Sequence, residues 1–500
     1  MAFGRFKEWP HFSSLAQNRR SSLPRPLYSK PIHGFDVYEV DVHGRTARFA
    51  AWEVSPGAYD FYIPDNFQAM RQFIRIPLTG KHIAAVHSRL AAVAGAIILG
   101  LAAIVFARMG EVSQNIFLQV VTISRYAPLI VTPLVFATVA YATLRFFPAA
   151  RGSGIPQVMA ASHNPDLHAG GDLLSLKTAG AKLCGTISML LVGGSAGREG
   201  PTVQISAALM VAVHRWLRVP VSSGIIIAGG AAGVAAAFNT PLAGVAFAIE
   251  ELASAFEQKV ALMVMAAVMI SGLVSLGLAG DYVYFGAMNG NLPLRAMLLI
   301  APIAGVLGGF FGGIFSRILI AATWPRHPVL IRIRSRPVMF AAGCGLIVAI
   351  TGCVTNGLTW GTGYETTKLL LVGHGSTMSF GPAKFISTLA TALSSAPGGI
   401  FAPSLSVGAG LGQLISSVFP NSPSGAVVLL GMVGYFTGVV RAPMTAVIIM
   451  MEMTADRTMI LPLFATALIA DAVSTMICRQ KLYHALSGQF RSTSHEAKRA

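Results

Sequence analysis

Of the chain's twenty acidic residues, five fall within or against apolar segments: Glu199, Glu250, Glu251, Glu452 and Asp471. A charge at bilayer depth is expensive and is usually there for a purpose, so chemistry is sought first at these positions. The most demanding context is Gly193-Gly-Ser-Ala-Gly-Arg-Glu-Gly-Pro-Thr-Val-Gln204, set between the apolar runs TISMLLV and ISAALMVAV. Gly197 and Gly200 flank Glu199 and let backbone approach closely. Pro201 suits the first turn of a helix, where its missing N–H costs nothing. Two further breaks share this character, GSGIPQV (Gly152 to Val158) and GIFAP (Gly399 to Pro403). Each precedes a helix-compatible run and so offers free N–H groups at the positive end of a helix dipole, an anion site needing no full cation. A carboxylate facing such ends mimics an anion. Ionised Glu199 should occupy the site and neutral Glu199 should leave it, which couples a proton to an anion without metal, nucleotide or other cofactor. The competing reading of Glu199 is an ion pair with Arg198, but neighbouring residues point in different directions on a helix. A dinucleotide reading of Gly152 to Gly154 fails, because the third glycine and the preceding strand are absent.

An internal repeat organises these breaks. Aligning GREGPTVQISAAL (from Gly197) with GIFAPSLSVGAGL (from Gly399) brings Pro201 onto Pro403 at an offset of 202. Aligning FNTPLAGVAFAIEE (from Phe238) with VRAPMTAVIIMMEM (from Val440) brings Pro241 onto Pro443 and Glu250 onto Glu452, again at 202. Interrupted segments at matching positions of two halves point to a transporter binding site. The match of Glu250 with Glu452 suggests a structural role for both and leaves Glu251 as the unpaired acid. The residues alone leave open whether the halves run parallel or inverted.

The elements that must carry these residues are membrane helices. Hydrophobic residues make up 54% of the 500-residue chain and charged ones 11%, with mean hydropathy +0.63, against about 25% charged in soluble domains. Runs 87–108, 128–147, 295–321 and 460–478 approach the roughly 20 residues a crossing needs. Others, 175–194, 201–217, 223–238, 241–256, 378–396, 401–418 and 425–440, are short or broken by glycine and proline, which lipid tolerates only where the freed backbone lines a cavity. The 52 glycines, as in GVLGGFFGGIF (Gly305 to Phe315), fit closely packed helices. The expected architecture is an all-α polytopic membrane bundle with half-helices and no intramembrane strand. Ahead of it, residues 1–82 read as a separate water-facing segment, with alternation around His43-Gly44 that predicts a β-hairpin.

The net charge of +17 gathers in the first eighty or so positions, in loops such as Arg326 to Arg336 and in the tail. This is the positive-inside pattern and predicts no nucleic acid partner. The opening residues are polar and basic, so no cleavable signal is expected and both termini are expected in the cytoplasm. Cys184, Cys344, Cys353 and Cys478 show no metal or disulfide spacing and read as small core residues. Histidines are scattered, with no HExxH or paired aspartate, which argues against an intramembrane enzyme and against a metal site. Lys182, in AGAKLCG, either biases the field toward anions or snorkels to the interface. Asp471 reads as a satisfied helix-end acid.

The set GSGIP, GREGP, GIFAP and the tyrosine of KLYHAL (Tyr483), with FNTPLAGVAFAIEE and RAPMTAVIIMMEMT, resembles the CLC family of chloride channels and chloride/proton antiporters over roughly residues 85 to 485. The resemblance implies two inverted-topology repeats of full and broken transmembrane helices (83–285 and 286–485, then a cytoplasmic tail 486–500), a pore in each subunit and a homodimer. It implies that Ser153 and Tyr483 donate hydroxyls to chloride, with the backbone around Ile400 and Phe401, and Gly200, completing the site. It implies that Glu199 is the gating glutamate and Glu251 the internal proton-transfer acid. Gln157 and Met159 depart from the acids that exchangers often carry after GSGIP. Ser153 implies chloride rather than nitrate, and it also differs from fluoride-specific members. The expected function is secondary-active chloride/proton antiport in a bacterial-type inner membrane, the alternative being a passive voltage- or pH-gated chloride channel of the same fold.

Overall fold

A computed structural model describes residues 36–62 apart from 43–44 and 56–57, and residues 80–496 apart from 164, 166–170, 253–257, 281–282, 289–291, 326–327, 329–330 and 333–334. The chain divides into two compact units, Met1–Ile83 and Ala84–Ala500. The first contains a three-stranded sheet of β1 (Asp36–Val42), β2 (Arg45–Ser55) and β3 (Ala58–Tyr62) in order 1-2-3. The expected hairpin is the antiparallel β1–β2 pair, with Val42 opposite Arg45; its turn residues, His43 and Gly44, lie outside the described residues. The third strand was not expected. It pairs antiparallel with β2, from Ala50 opposite Tyr62 to Ser55 opposite Ala58.

The second unit is helical. In chain order it contains α1 (Gly80–Ile123, entering from the boundary), α2 (Pro128–Phe146), α3 (Ile155–His163), α4 (Leu176–Leu190), α5 (Glu199–Trp216), α6 (Ser223–Phe238), α7 (Pro241–Phe247) and α8 (Gln258–Ala279). The later half contains α9 (Leu294–Thr323), α10 (Pro337–Val354), α11 (Tyr364–Leu371), α12 (Phe380–Leu393), α13 (Phe401–Val418), α14 (Ser424–Val440), α15 (Pro443–Thr454), α16 (Ile460–Ile477) and α17 (Leu482–Glu496). Among the described residues, six helices are long and apolar enough to cross a membrane. Four were expected; Ala261–Leu278 and Pro337–Val354 are additional. Their outer faces expose large apolar side chains, including Ile130, Leu134, Leu262, Leu298 and Leu461, a surface that water would not tolerate but acyl chains solvate.

The shorter helices form the interior. Every residue of α6 from Gly224 to Phe238, and of α14 from Ala426 to Val440, is buried; a helix apolar all round belongs inside. Glycine sets how closely these helices approach. Gly308 and Gly312 of α9 lie against Gly434 and Gly438 of α14, where any added Cβ would collide with backbone. Two small-xxx-small pairs thus meet face to face, and Ser316 Oγ donates across the contact to the Val439 carbonyl at 2.9 Å.

The halves exchange equivalent contacts, which fixes how they are related. Gly197 N–H donates to the Gly399 carbonyl at 2.7 Å, and Gly399 N–H donates back at 2.8 Å. Glu250 accepts from the N–H groups of Met444 and Thr445 at the start of α15 (3.2 and 2.7 Å). Glu452 accepts from Leu242 and Ala243 at the start of α7 (3.0 and 2.7 Å). Each carboxylate satisfies orphan donors and faces the positive end of the other half's helix. Such reciprocity is that of a pseudo-two-fold axis, and the bundle is two inverted-topology repeats.

Candidate functional site

The three glycine-proline breaks form one site. Besides the Gly197–Gly399 bridge, Gly398 N–H donates to the Gly152 carbonyl at 3.1 Å, so all three loops are tied together. Gly152 and Gly154 adopt φ of 63° and 108°, conformations that side chains disfavour, and this turns the chain into α3. Gly200 is required for a different reason: a Cβ there would come 2.6 Å from Ser153 Oγ.

Into this junction folds the Glu199 side chain, itself 1% exposed. Its Oε2 lies 3.5 Å from the Ala402 N–H at the start of α13, and the N–H groups of Arg198 and Glu199 also act on the carboxylate. It therefore sits where two helix N-termini meet, one from each repeat. Oε1 has no hydrogen-bond partner among the described residues. Arg198 points elsewhere, donating to the Ala107 carbonyl (2.7 Å) and to Glu111 (3.2 Å) on α1. The ion-pair reading of Glu199 with Arg198 gives way to this α1 contact.

Behind Glu199 lie Ser153 and Tyr483. Tyr483 is fully buried beside Ser153, and neither hydroxyl has a partner in hydrogen-bond geometry among the described residues. Buried hydroxyls are almost always paired, so two facing orphans mark a place for a polar guest. Phe401 contributes differently. Its ring packs against Phe238, Phe247, Phe436 and Tyr483, with centroids 4.9–6.2 Å away. Its backbone N–H, and that of Ile400, stand at the start of α13, where helical N–H groups have no intrahelical partner. Together the breaks supply N–H donors and hydroxyls, a cradle suited to a dehydrated monovalent anion.

Glu251 occupies a separate place. The chain after α7 widens into a π turn, Ala248–Leu252, a local bulge often found at functional sites. Glu250 turns outward to cap α15, while Glu251 turns inward and is 1% exposed. His484 Nδ1 lies 3.5 Å from its Oε1.

Other expectations are revised. Lys182 does not snorkel; it is fully buried and donates to the carbonyls of Arg151 (3.2 Å) and Gly152 (2.8 Å), the latter in the first break. Gln157 donates to the Ala149 and Arg151 carbonyls and so braces the same loop. Asp471 lies within α16 rather than at its end and pairs with Arg441 at 3.1 Å. Cys344 and Cys478 are buried, but Cys184 is exposed.

A fourth break went unread in the sequence. Gly361-Thr-Gly363-Tyr364 opens α11, with φ of 63° and 79° at its glycines. It is held by Lys384, whose Nζ donates to the carbonyls of Thr359 (2.9 Å) and Gly361 (2.7 Å). Lys384 lies 202 residues after Lys182, so the recurrence of a lysine at the known offset could have located it. His484 was missed as well, being read only as part of the Tyr483 motif.

Inverted repeats of broken helices whose N-termini meet around a buried carboxylate define a secondary-transporter type of membrane protein. The family model described as voltage gated chloride channel matches residues 135–475, and the chain belongs to that family. It is 29% identical over 445 residues to the H(+)/Cl(-) exchange transporter ClcA of Yersinia pestis (bv. Antiqua, strain Angola), covering 82% of this chain and 88% of the relative. The protein of the same name from Yersinia pseudotuberculosis (serotype O:3, strain YPIII) matches to the same extent. Among solved structures, a slow cyanobacterial Cl-/H+ antiporter superposes with TM-score 0.70 at 25% identity, covering 81% of this chain and 98% of that one. A CLC-type fluoride/proton antiporter superposes with TM-score 0.66 at 21% identity, covering 79% and 96%, which is likeness of fold alone.

Proposed function

We propose that the protein is a secondary-active antiporter that exchanges chloride for protons across a bacterial inner membrane. The observation that carries this reading is the Glu199 carboxylate lying at the joined N-termini of α5 and α13, 3.5 Å from the Ala402 N–H, where an anion would otherwise bind. In this reading ionised Glu199 plugs the path and is displaced once protonated. Chloride then sits between the hydroxyls of Ser153 and Tyr483 and the N–H groups of Ile400 and Phe401, with Gly200 clearing space. Glu251 passes the proton to the opposite face. The repeats run over 83–285 and 286–485, two subunits pair with a pore in each, and both termini face the cytoplasm.

The test is ion movement in liposomes. An outward chloride gradient should drive uphill proton uptake by the parent. Glu199→Gln and Glu251→Gln should each lose proton uptake while chloride still flows. Chloride flux without proton movement in the parent would instead make the protein a passive channel of the same fold. Well-folded protein that moves no chloride would overturn the anion path itself.

A further inference from the structure

We propose that His484 is the relay that carries protons between bulk water and Glu251, an inference resting on the antiport reading above. Glu251 is sealed: its side chain has no solvent exposure, and neither carboxylate oxygen has a partner in hydrogen-bond geometry among the described residues. A buried acid that exchanges protons needs a carrier reaching water. His484 Nδ1 is 3.5 Å from Glu251 Oε1, and the imidazole is 46% exposed, so one ring spans from the sealed carboxylate to solvent. Imidazole can accept a proton at one nitrogen and release it from the other. In the inward step the Glu251 carboxyl gives its proton to neutral Nδ1 and imidazolium loses one from Nε2 to water; the outward step reverses both transfers.

The position of His484 follows from its neighbours. It lies on the first turn of α17, directly after Tyr483, and the preceding turn is clamped by Arg441, which donates to the carbonyls of Cys478 (3.3 Å) and Arg479 (2.9 Å). The other charged groups acting on Glu251 are Lys481 on that turn and Glu250 on the π turn. Helices α3, α9 and α14 pack against α17. On α3 the titratable side chain is His163, at its C-terminal end. On α9 the charged residues are Arg295 and Arg317, and that helix meets α17 through Thr323 and Trp324. From α14 the nearby charge is Arg441, already paired with Asp471. Arg151 stacks on Phe490 further along α17. Tyr483 also feels the Glu251 charge, and among the described residues the ion pair of the Glu251 carboxylate is with His484.

The test is His484→Asn, which keeps a hydrogen-bonding group near the place of Nδ1 but cannot pass a proton. In liposomes its proton flux should fall by roughly tenfold or more, since positioned proton-transfer groups outperform unassisted water by at least that much, while chloride flux persists. Proton flux within twofold of the parent would overturn the relay and leave antiport standing. Equal loss of both fluxes would mark a packing role and also overturn it. If the parent moves chloride and no protons, the antiport reading fails and the relay fails with it. Glu251→Gln alongside separates the cases, because it must lose proton flux wherever antiport holds.

Discussion

The two repeats share a backbone design and differ in a few side chains, and the difference separates the acids that cap helices from those proposed above to carry protons. At the helix break, Gly197, Arg198, Glu199, Gly200 and Pro201 stand where the second half has Gly399, Ile400, Phe401, Ala402 and Pro403. The glycines and prolines recur because both halves must end a strand-like bridge and begin a helix at the same point. The third position does not recur. In one half it is a carboxylate folded over the junction, in the other a phenyl ring packed among four aromatic residues. After α7 and within α15 the pattern repeats. Glu250 and Glu452 match and cap each other's helices, whereas Glu251 stands where the second half has Met453, fully buried. Matched polar residues, including the lysines at 182 and 384, satisfy backbone groups. The unmatched acids differ: Glu199 reaches across the junction toward the Ala402 N–H, and Glu251 has no backbone partner among the described residues.

The largest test of that division copies the second half into the first. Glu251→Met should abolish proton uptake in liposomes, yet shift unfolding in detergent by less than about 1 kcal/mol, because exchanging a buried charge for an apolar side chain of similar volume is often neutral. A large loss of stability would place Glu251 with the structural acids. Glu250→Ala and Glu452→Ala should do the opposite, each costing about 2 kcal/mol by stranding helix-start N–H groups, with the chloride-to-proton ratio unchanged in thermally folded protein. A changed ratio in only one of the pair would break the symmetry argument. The smallest effect is expected from Lys182→Met and Lys384→Met. Each loses two carbonyl contacts but also a buried charge, for a net cost of about 1 kcal/mol, and comparable values from thermal unfolding would sharpen the match.

The legibility of these features in sequence followed residue type. The offset of 202 stood out because proline, glycine and glutamate recur in register, and with it came the breaks, Glu199 and the unpaired Glu251. The break at Gly361 lacks proline and has slipped to an offset of 209 from Gly152, so it matched nothing. The span at 261–278 follows the 241–256 run with only Glu257, Gln258, Lys259 and Val260 between, too little turn signal to set it apart. The π turn was invisible, since its residues, Ala248 to Leu252, have ordinary helical propensities. Asp471 was misjudged, and the place of Lys182 left open, for a shared reason: their partners, Arg441 and the carbonyls of Arg151 and Gly152, are tertiary.

The two-way bridge between Gly197 and Gly399 has a consequence for how the machine moves. Together with the exchanged caps of Glu250 and Glu452, it rivets the halves at their centre and again at the starts of α7 and α15. Rocking one half against the other, as many inverted-repeat carriers do, would shear both rivets in every cycle. For the exchange proposed above, the stroke left is short: the Glu199 carboxylate swinging out of a socket whose walls stand still.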